Sequence, residues 1–147
     1  MTIALRRMSL DDVDRVAFIH RTSFDERLPW LAGRYTPAED RRFFKDRVFA
    51  SCEVWGAIDR KPIGFIAFRP GWIDQLYVLP DRQRQGVGGA LLDVAKAASP
   101  SLRLWTFQRN AAARRFYEGQ GFVAATLTDG GNNDEREPDI LYRWDRL

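Results

Sequence analysis

Ten consecutive residues, Gln83-Arg84-Gln85-Gly86-Val87-Gly88-Gly89-Ala90-Leu91-Leu92, carry the most legible chemistry in this chain. They follow an apolar run, Trp72 to Leu79, that closes at Pro80, and they lead into a helical pattern from Ala90 to Ala98. A glycine-rich turn therefore joins a strand to the start of a helix. Glycines let the backbone approach a ligand closely and take positive φ. The first amides of a helix lack internal partners and lie at the positive end of its dipole. Such a turn is a seat for a phosphate group, so the segment predicts a phosphorylated cofactor. Arg82 and Arg84 flank the seat. They read either as ordinary surface charge or as phosphate contacts.

The elements that must hold this turn are legible on both sides of it. Thr2 to Arg7 alternates around Ile3 and Leu5 and predicts a first strand. Ser9 predicts an N-cap, with Asp11 and Asp12 in the first turn. Val13, Val16, Ala17, Ile19 and His20 then share one helical face. Leu28 to Tyr35, holding Pro29, Trp30 and Gly33, predicts a loop. Thr36, Pro37 and Glu39 form a capping-box pattern for a second helix, which carries Phe43, Phe44 and Val48. Glu53 to Asp59 and Pro62 to Arg69 predict a hairpin, and Trp72 to Leu79 a further strand. After the turn, Ser99-Pro100-Ser101 ends the helix. Leu102 to Phe107 predicts a strand, Asn110 to Gln120 a helix stopped by Gly121, and Phe122 to Leu127 and Ile140 to Trp144 the last strands. Thr128 to Pro138, polar and holding two glycines and two asparagines, predicts an exposed loop. The order β-α-α-β-β-β-α-β-α-β-β predicts an α/β fold (mixed α+β). It is a mixed sheet of about seven strands with helices on both faces, in one domain over residues 1–147.

Composition narrows the class. A chain of 147 residues can bury a substantial core. Its 23 Lys+Arg and 20 Asp+Glu leave +3, and no run of like charges marks a nucleic-acid tail, so no nucleic-acid partner is expected. Cys52 is the single cysteine, which excludes an intrachain disulfide and a thiolate metal cluster. It precedes an apolar run and reads as a small core residue; no metal site is expected. No apolar stretch reaches the ~18 residues of a membrane span. No apolar signal segment follows Met1 to Arg7. A cytoplasmic protein with no membrane partner is the expectation. His20, the single histidine, reads as structural.

Three phosphate loops compete for the turn. A Walker A loop needs Gly-x-x-x-x-Gly-Lys-Ser/Thr, which does not occur. A dinucleotide fingerprint needs a third glycine where Leu91 stands. The pattern Gln/Arg-x-x-Gly-x-Gly/Ala is met by Gln83, Gly86 and Gly88. With Ile73-Asp74-Gln75-Leu76-Tyr77-Val78-Leu79-Pro80 before it and Asn110-Ala111-Ala112-Ala113-Arg114-Arg115-Phe116-Tyr117-Glu118-Gly119-Gln120-Gly121-Phe122 after it, the chain resembles the GCN5-related N-acetyltransferase (GNAT) superfamily. The likeness is detailed from Ile73 to Phe122 and extends to the element order throughout.

That resemblance implies acetyl-CoA as cofactor and a twisted sheet whose middle strands splay apart to admit it. It implies pantetheine pairing along the backbone of Leu76, Tyr77 and Val78, in the manner of an added strand. The pyrophosphate would sit on the turn formed by Gln83, Arg84, Gln85, Gly86, Val87, Gly88 and Gly89. Asn110 matches a cofactor-contacting position and equally suits an N-cap. Tyr117 matches the acid that protonates the departing thiolate, a task that suits a phenol with a pKa near 10. Asp74 stands on the strand where many relatives carry a glutamate base. A charge in an apolar strand is costly to bury alone, so it faces the cleft or pairs with an arginine. Glu137 and Asp139 compete with it. Trp30, Asp74 and Asp139 are the candidate acceptor-site residues, the aromatic ring and carboxylates suiting a cationic amine.

The function so implied is transfer of an acetyl group from acetyl-CoA to a primary amine of a small molecule or peptide by direct attack. Cys52 lies outside the motifs, which disfavours a ping-pong route. A non-catalytic acyl-CoA sensor is the alternative, and a homodimer is possible by analogy. A nucleic-acid reading of Arg82, Arg84, Arg109, Arg114 and Arg115 lacks a motif or a basic stripe.

Overall fold

Side chains of strand β3 (Lys61–Arg69) divide the interior between two layers: Phe65 and Ala67 are buried on one side, Ile66 and Phe68 on the other. This is the period of two that a strand imposes when both its faces are covered. The computed structural model describes residues 3–147. The first predicted strand is seen as β1 (Ala4–Arg7), and Thr2 lies outside the described residues.

The remaining strands are β2 (Glu53–Asp59), β4 (Trp72–Val78), β5 (Ser101–Phe107), β6 (Val123–Leu127) and β7 (Asp139–Asp145). Among the described residues they form one seven-stranded sheet in the order β1-β2-β3-β4-β5-β7-β6. Every neighbouring pair is antiparallel except β4 and β5, which run parallel. That central pair is joined at one register position, Trp72 opposite Arg103, with the Arg103 amide donating to the Gly71 carbonyl at 2.9 Å. Beyond it the two strands part.

Helices cover both faces, as the pattern predicts. On one side lie α1 (Val13–Arg27) and α2 (Pro37–Phe43), the latter running through a π-helical turn (Phe44–Val48) into the short α3 (Phe49–Ser51). Val16, Ile19, Phe44 and Val48 are their buried contribution. On the other side α4 (Val87–Ala98) buries Leu91, Leu92 and Ala95, and α5 (Ala111–Gly119) buries Tyr117. Each fully buried leucine contributes roughly 1.5–3 kcal/mol. Capping boxes form at Ser9 with Asp12 and at Thr36 with Glu39. Asn110 caps α5 by accepting from the Ala113 amide at 3.2 Å.

Three local features depart from the sequence reading. The helix expected from Ala90 begins at Val87, because Gly86, at φ +84°, is its N-cap. Gly88 and Gly89 are therefore helical. Within the loop expected from Leu28 to Tyr35, Pro29–Leu31 form a 3-10 turn. The segment from Thr128 to Pro138 is a loop, but not simply an exposed one. Asn133 donates to the Glu137 carbonyl at 2.7 Å and accepts from its amide at 3.1 Å, and both Gly130 and Glu137 are buried. A side chain at Gly130 would stand 2.4 Å from the Glu137 backbone, so only glycine allows the loop to fold on itself.

Candidate active site

The parting of β4 from β5 opens a cavity of about 1110 Å³. One wall is Leu76, Tyr77 and Val78; the facing wall is Trp105, Thr106 and Phe107. The glycine turn and the start of α5 close one end, and the segment from Thr128 to Asp139 supplies Thr128, Asn132, Asn133, Glu135 and Asp139. Phe24 from α1 and Phe107 from β5 meet edge to face across it, their ring centroids 6.3 Å apart.

The turn has the geometry of an anion cradle. Arg84 and Gly86 both adopt left-handed backbone, at φ 63° and 84°. Left-handed residues alternating with ordinary ones turn successive amides inward, and here those amides run into the N-terminus of α4. Left-handed backbone is disfavoured by roughly 1–2 kcal/mol for a residue with a Cβ, a strain that Arg84 carries. Gly88 lets α4 approach α5 closely: a Cβ there would lie 3.2 Å from the Phe116 ring. Arg27, Arg84 and Arg115 bring positive charge to the cavity wall. Arg82 is turned away and pairs with Asp59 at 2.7 Å.

At the end of β4 the Val78 carbonyl accepts from the Gln83 side chain at 2.9 Å and lies 3.0 Å from the Ser23 hydroxyl. Gln83 in turn accepts from Arg27. So Gln83 acts through its side chain, bracing the turn against β4 and α1. Nothing in the sequence pattern marked Ser23 or Arg27, because the α1 face they occupy is defined only by what packs beside it.

Of the residues singled out by sequence, Leu76, Tyr77, Val78, Gln83, Arg84, Gly86, Gly88, Gly89, Asn110, Tyr117 and Asp139 line this one cavity. Gln85 and Val87 do not line it; Val87 is core, so only its backbone amide is available to a ligand. Tyr117 is buried among Phe116, Phe122 and Tyr142. Burial pushes its phenol well above the ordinary range, with Tyr77 adding to the effect, so it is held protonated. The Tyr77 hydroxyl is pushed up to about 12, again chiefly by burial. Behind Tyr77 stands His20, its ring 4.8 Å away and edge-on. Burial, with Arg21 adding, lowers the His20 pKa to about 4, which leaves it a neutral packing residue.

Two of the sequence candidates lie elsewhere. Asp74 does not line the cavity: its carboxylate accepts from Arg69 Nε at 2.9 Å and from the Cys52 thiol at 3.1 Å. The cause is a β-bulge. Ala67 pairs with Gln75 and Phe68 with Ile73, which leaves Asp74 as the extra residue. The Cys52 thiol is pushed up to about 11 by burial and by Asp74, so it is no thiolate nucleophile. Trp30 is not a cavity wall either. Its indole donates to Glu137 Oε1 at 3.1 Å, and its ring lies 4.0 Å from the Arg109 guanidinium. Glu137 is held below the usual carboxylate range by Arg109, with the Trp30 hydrogen bond contributing.

Comparison with known proteins agrees with this architecture. The model of the acetyltransferase (GNAT) domain matches residues 50–124. Over 103 residues the chain is 32% identical to the peptidyl-lysine N-acetyltransferase YiaC of Escherichia coli, covering 68% of each chain. Over 124 residues it is 28% identical to the peptidyl-lysine N-acetyltransferase YjaB of Salmonella typhimurium, covering 83% of this chain and 84% of that one. Among solved structures, the PaiA N-acetyltransferase of Thermoplasma acidophilum in complex with coenzyme A superposes with a TM-score of 0.80 at 20% identity, covering 99% of both chains. Among the described residues no helix is long and apolar enough to cross a membrane.

Proposed function

We propose an acceptor for this chain, which belongs to the GNAT acetyltransferase family and moves an acetyl group from acetyl-CoA to a primary amine: the side-chain amine of a peptidyl lysine. The observation that carries this reading is the lining that α1, β5 and the segment from Thr128 to Asp139 give the cavity. There the edge-to-face pair of Phe24 and Phe107 shares a cavity with the carboxylates of Glu135 and Asp139. An aliphatic stem packs against aromatic surface, and an ammonium group is drawn to carboxylates and ring faces. Two relatives named as peptidyl-lysine N-acetyltransferases support the same acceptor.

The residues present fit the donor. The inward-facing amides of the turn and Arg84 would hold the pyrophosphate. Tyr77 pairs with Phe65 in the β3 ladder and the Val78 carbonyl is engaged by Gln83, so strand-like pairing with the pantetheine arm falls to the backbone of Leu76 and the amide of Val78. Asn110 fixes the start of α5 and so the position of Tyr117. Bound acetyl-CoA supplies an activated acyl carbon and a thiolate leaving group. Tyr117 holds the proton that the departing sulfur needs, and burial keeps that proton in place until the sulfur develops charge. The free thiol of Cys52 suits a reducing compartment, and we place the reaction in the cytoplasm.

The test is an acceptor panel: lysine peptides, peptides with only an α-amine, and small diamines, each followed by CoA release and mass spectrometry. Acetylation confined to lysine side chains is the expected outcome. Turnover of small diamines alone overturns the peptidyl acceptor, and acetyl-CoA binding without turnover favours the sensor.

A further inference from the structure

Four carboxylates are candidates for contact with the incoming amine, and three of them are already engaged. Asp74 is held by Arg69 and Cys52 outside the cavity. Glu137 is held by Arg109 and Trp30. Asp139 lines the cavity but accepts from the Thr128 hydroxyl and from Asn133 Nδ2, the latter at 3.2 Å. Glu135 also lines the cavity, half-buried, and its side chain has no hydrogen bond or ion pair among the described residues.

Although it sits in a loop, Glu135 is not loosely placed. On one side, the carbonyl of Asp134 accepts from Arg34 at 3.0 Å. On the other, Arg136 takes left-handed backbone at φ 53° and donates to the Gly131 carbonyl at 2.7 Å. Next in line, Glu137 is buried under its ion pair with Arg109. The backbone that carries Glu135 is therefore strapped to α1's following segment, to its own loop and to the end of β5. The charge of its carboxylate acts on the Tyr77 hydroxyl, which lines the same cavity.

We propose that the Glu135 carboxylate receives the ammonium group of the acceptor and takes its proton. The assignment rests on the acetyl-transfer reading above and adds the residue that selects and activates the amine. An ammonium nitrogen has no lone pair, so one proton must leave before attack. That proton passes from R–NH₃⁺ to Glu135, leaving R–NH₂ and a neutral carboxylic acid. The nitrogen lone pair then bonds to the acetyl carbon as the carbon–sulfur bond breaks, and the electron pair of that bond goes to sulfur. Sulfur takes the Tyr117 proton, and the resulting tyrosinate recovers one from the new amide nitrogen. Glu135 finally releases its proton to solvent. The net change is amine cation plus thioester to amide, thiol and one proton.

The experiment compares wild type, Glu135→Gln and Asp139→Asn on two acceptors: a lysine peptide, and the same peptide bearing an aminooxy side chain that is neutral in the assay buffer. Glu135→Gln is expected to lower kcat/KM for the lysine peptide by about 10²–10⁴-fold, the usual range for a general base. It is expected to leave acetyl-CoA affinity within about twofold and the aminooxy peptide nearly unaffected. A loop that merely lost its fold would slow both acceptors alike, and that result overturns the proposal. So does a Glu135→Gln enzyme within about twofold of wild type on lysine, or a loss seen only in Asp139→Asn. If wild type binds acetyl-CoA but acetylates no amine, the acetyl-transfer reading falls and takes this assignment with it.

Discussion

Arg109 grips Glu137 with both arms of its guanidinium, Nε to Oε2 and Nη2 to Oε1, each at 2.9 Å, while Trp30 lies against the arginine and donates to the same carboxylate. This clasp joins the turn after α1, the end of β5 and the loop before β7. Two-pronged pairing of this kind sets geometry as well as charge, and lysine cannot reproduce it. Arg109→Ala is expected to raise the acceptor KM by roughly tenfold or more, as small displacements of positioning groups do. Acetyl-CoA affinity should hold, and Arg109→Lys should recover little. Steady-state kinetics with the acceptor varied, alongside calorimetric titration of the donor, checks this.

Tyr117→Phe keeps the ring that packs on Phe116, Phe122 and Tyr142 and removes only the proton donor. We expect kcat to fall by about 10²–10⁴-fold with donor affinity unchanged. A single-turnover assay at saturating acetyl-CoA separates this loss from weaker binding. An unchanged rate removes Tyr117 as the acid.

At Gly86 a Cβ would meet nothing within 4 Å, so a substitution there acts through the backbone alone. Left-handed φ strains any residue with a Cβ by roughly 1–2 kcal/mol. Gly86→Ala should therefore lower stability by about that much and misdirect the amides of the turn. Gly88→Ala acts by a different route, pressing on Phe116 at 3.2 Å. Both should weaken acetyl-CoA at least about tenfold by titration calorimetry, which corresponds to roughly 1.4 kcal/mol.

Asp74→Asn should be nearly silent in kinetics, with kcat/KM within roughly threefold, as for a substitution remote from chemistry. Loss of its part-exposed pair with Arg69 should cost under about 1 kcal/mol in a denaturant titration. A large fall in kcat would return Asp74 to the reaction.

His20 makes stability depend on pH. In the unfolded chain an imidazole takes up its proton near pH 6.5, whereas in the fold it resists until about 4. Between these values the unfolded state binds more protons, so stability falls as the pH falls. Lowering the pH from about 7 to about 5 should remove about 2 kcal/mol through this group, at 1.36 kcal/mol for each unit. His20→Phe should flatten that part of the curve in chemical denaturation across pH.

What the sequence displayed most clearly was whatever local chemistry dictates. Asn110 suited a helix cap, Gly86 a turn, and Pro62 to Arg69 a strand of a hairpin. Most of the turn and β4 residues singled out in the sequence line the cavity, whereas Ser23 and Arg27 carried no local signal. The acceptor half was less legible. Asp74 obeys the strand pattern on paper, but a one-residue bulge opposite Ala67 and Phe68 places it away from the cavity. Glu135 sits in a polar loop with no period, and its direction follows from Asn133 folding back on Glu137. Trp30 was noticed for its ring, yet its role depends on Arg109 and Glu137, more than seventy residues away. Such positions are decided by tertiary contacts that no short window contains.

The solitary pairing of Trp72 with Arg103 also bears on how the molecule comes apart. Four strands on one flank and three on the other meet at a seam with almost no ladder of its own. The flanks are coupled by a core that crosses the seam, where Ile66, Phe68 and Ile73 share one cluster with Leu102, Leu104 and Tyr142, and a ligand lying along the seam would add to that coupling. A ligand that binds only the folded form adds about 2.7 kcal/mol at a hundredfold excess over its Kd. With the donor bound, the calorimetric transition should move to higher temperature and sharpen. For this fold a donor lying along the seam would act as a removable eighth strand, lengthening the life of the folded form as well as feeding its chemistry.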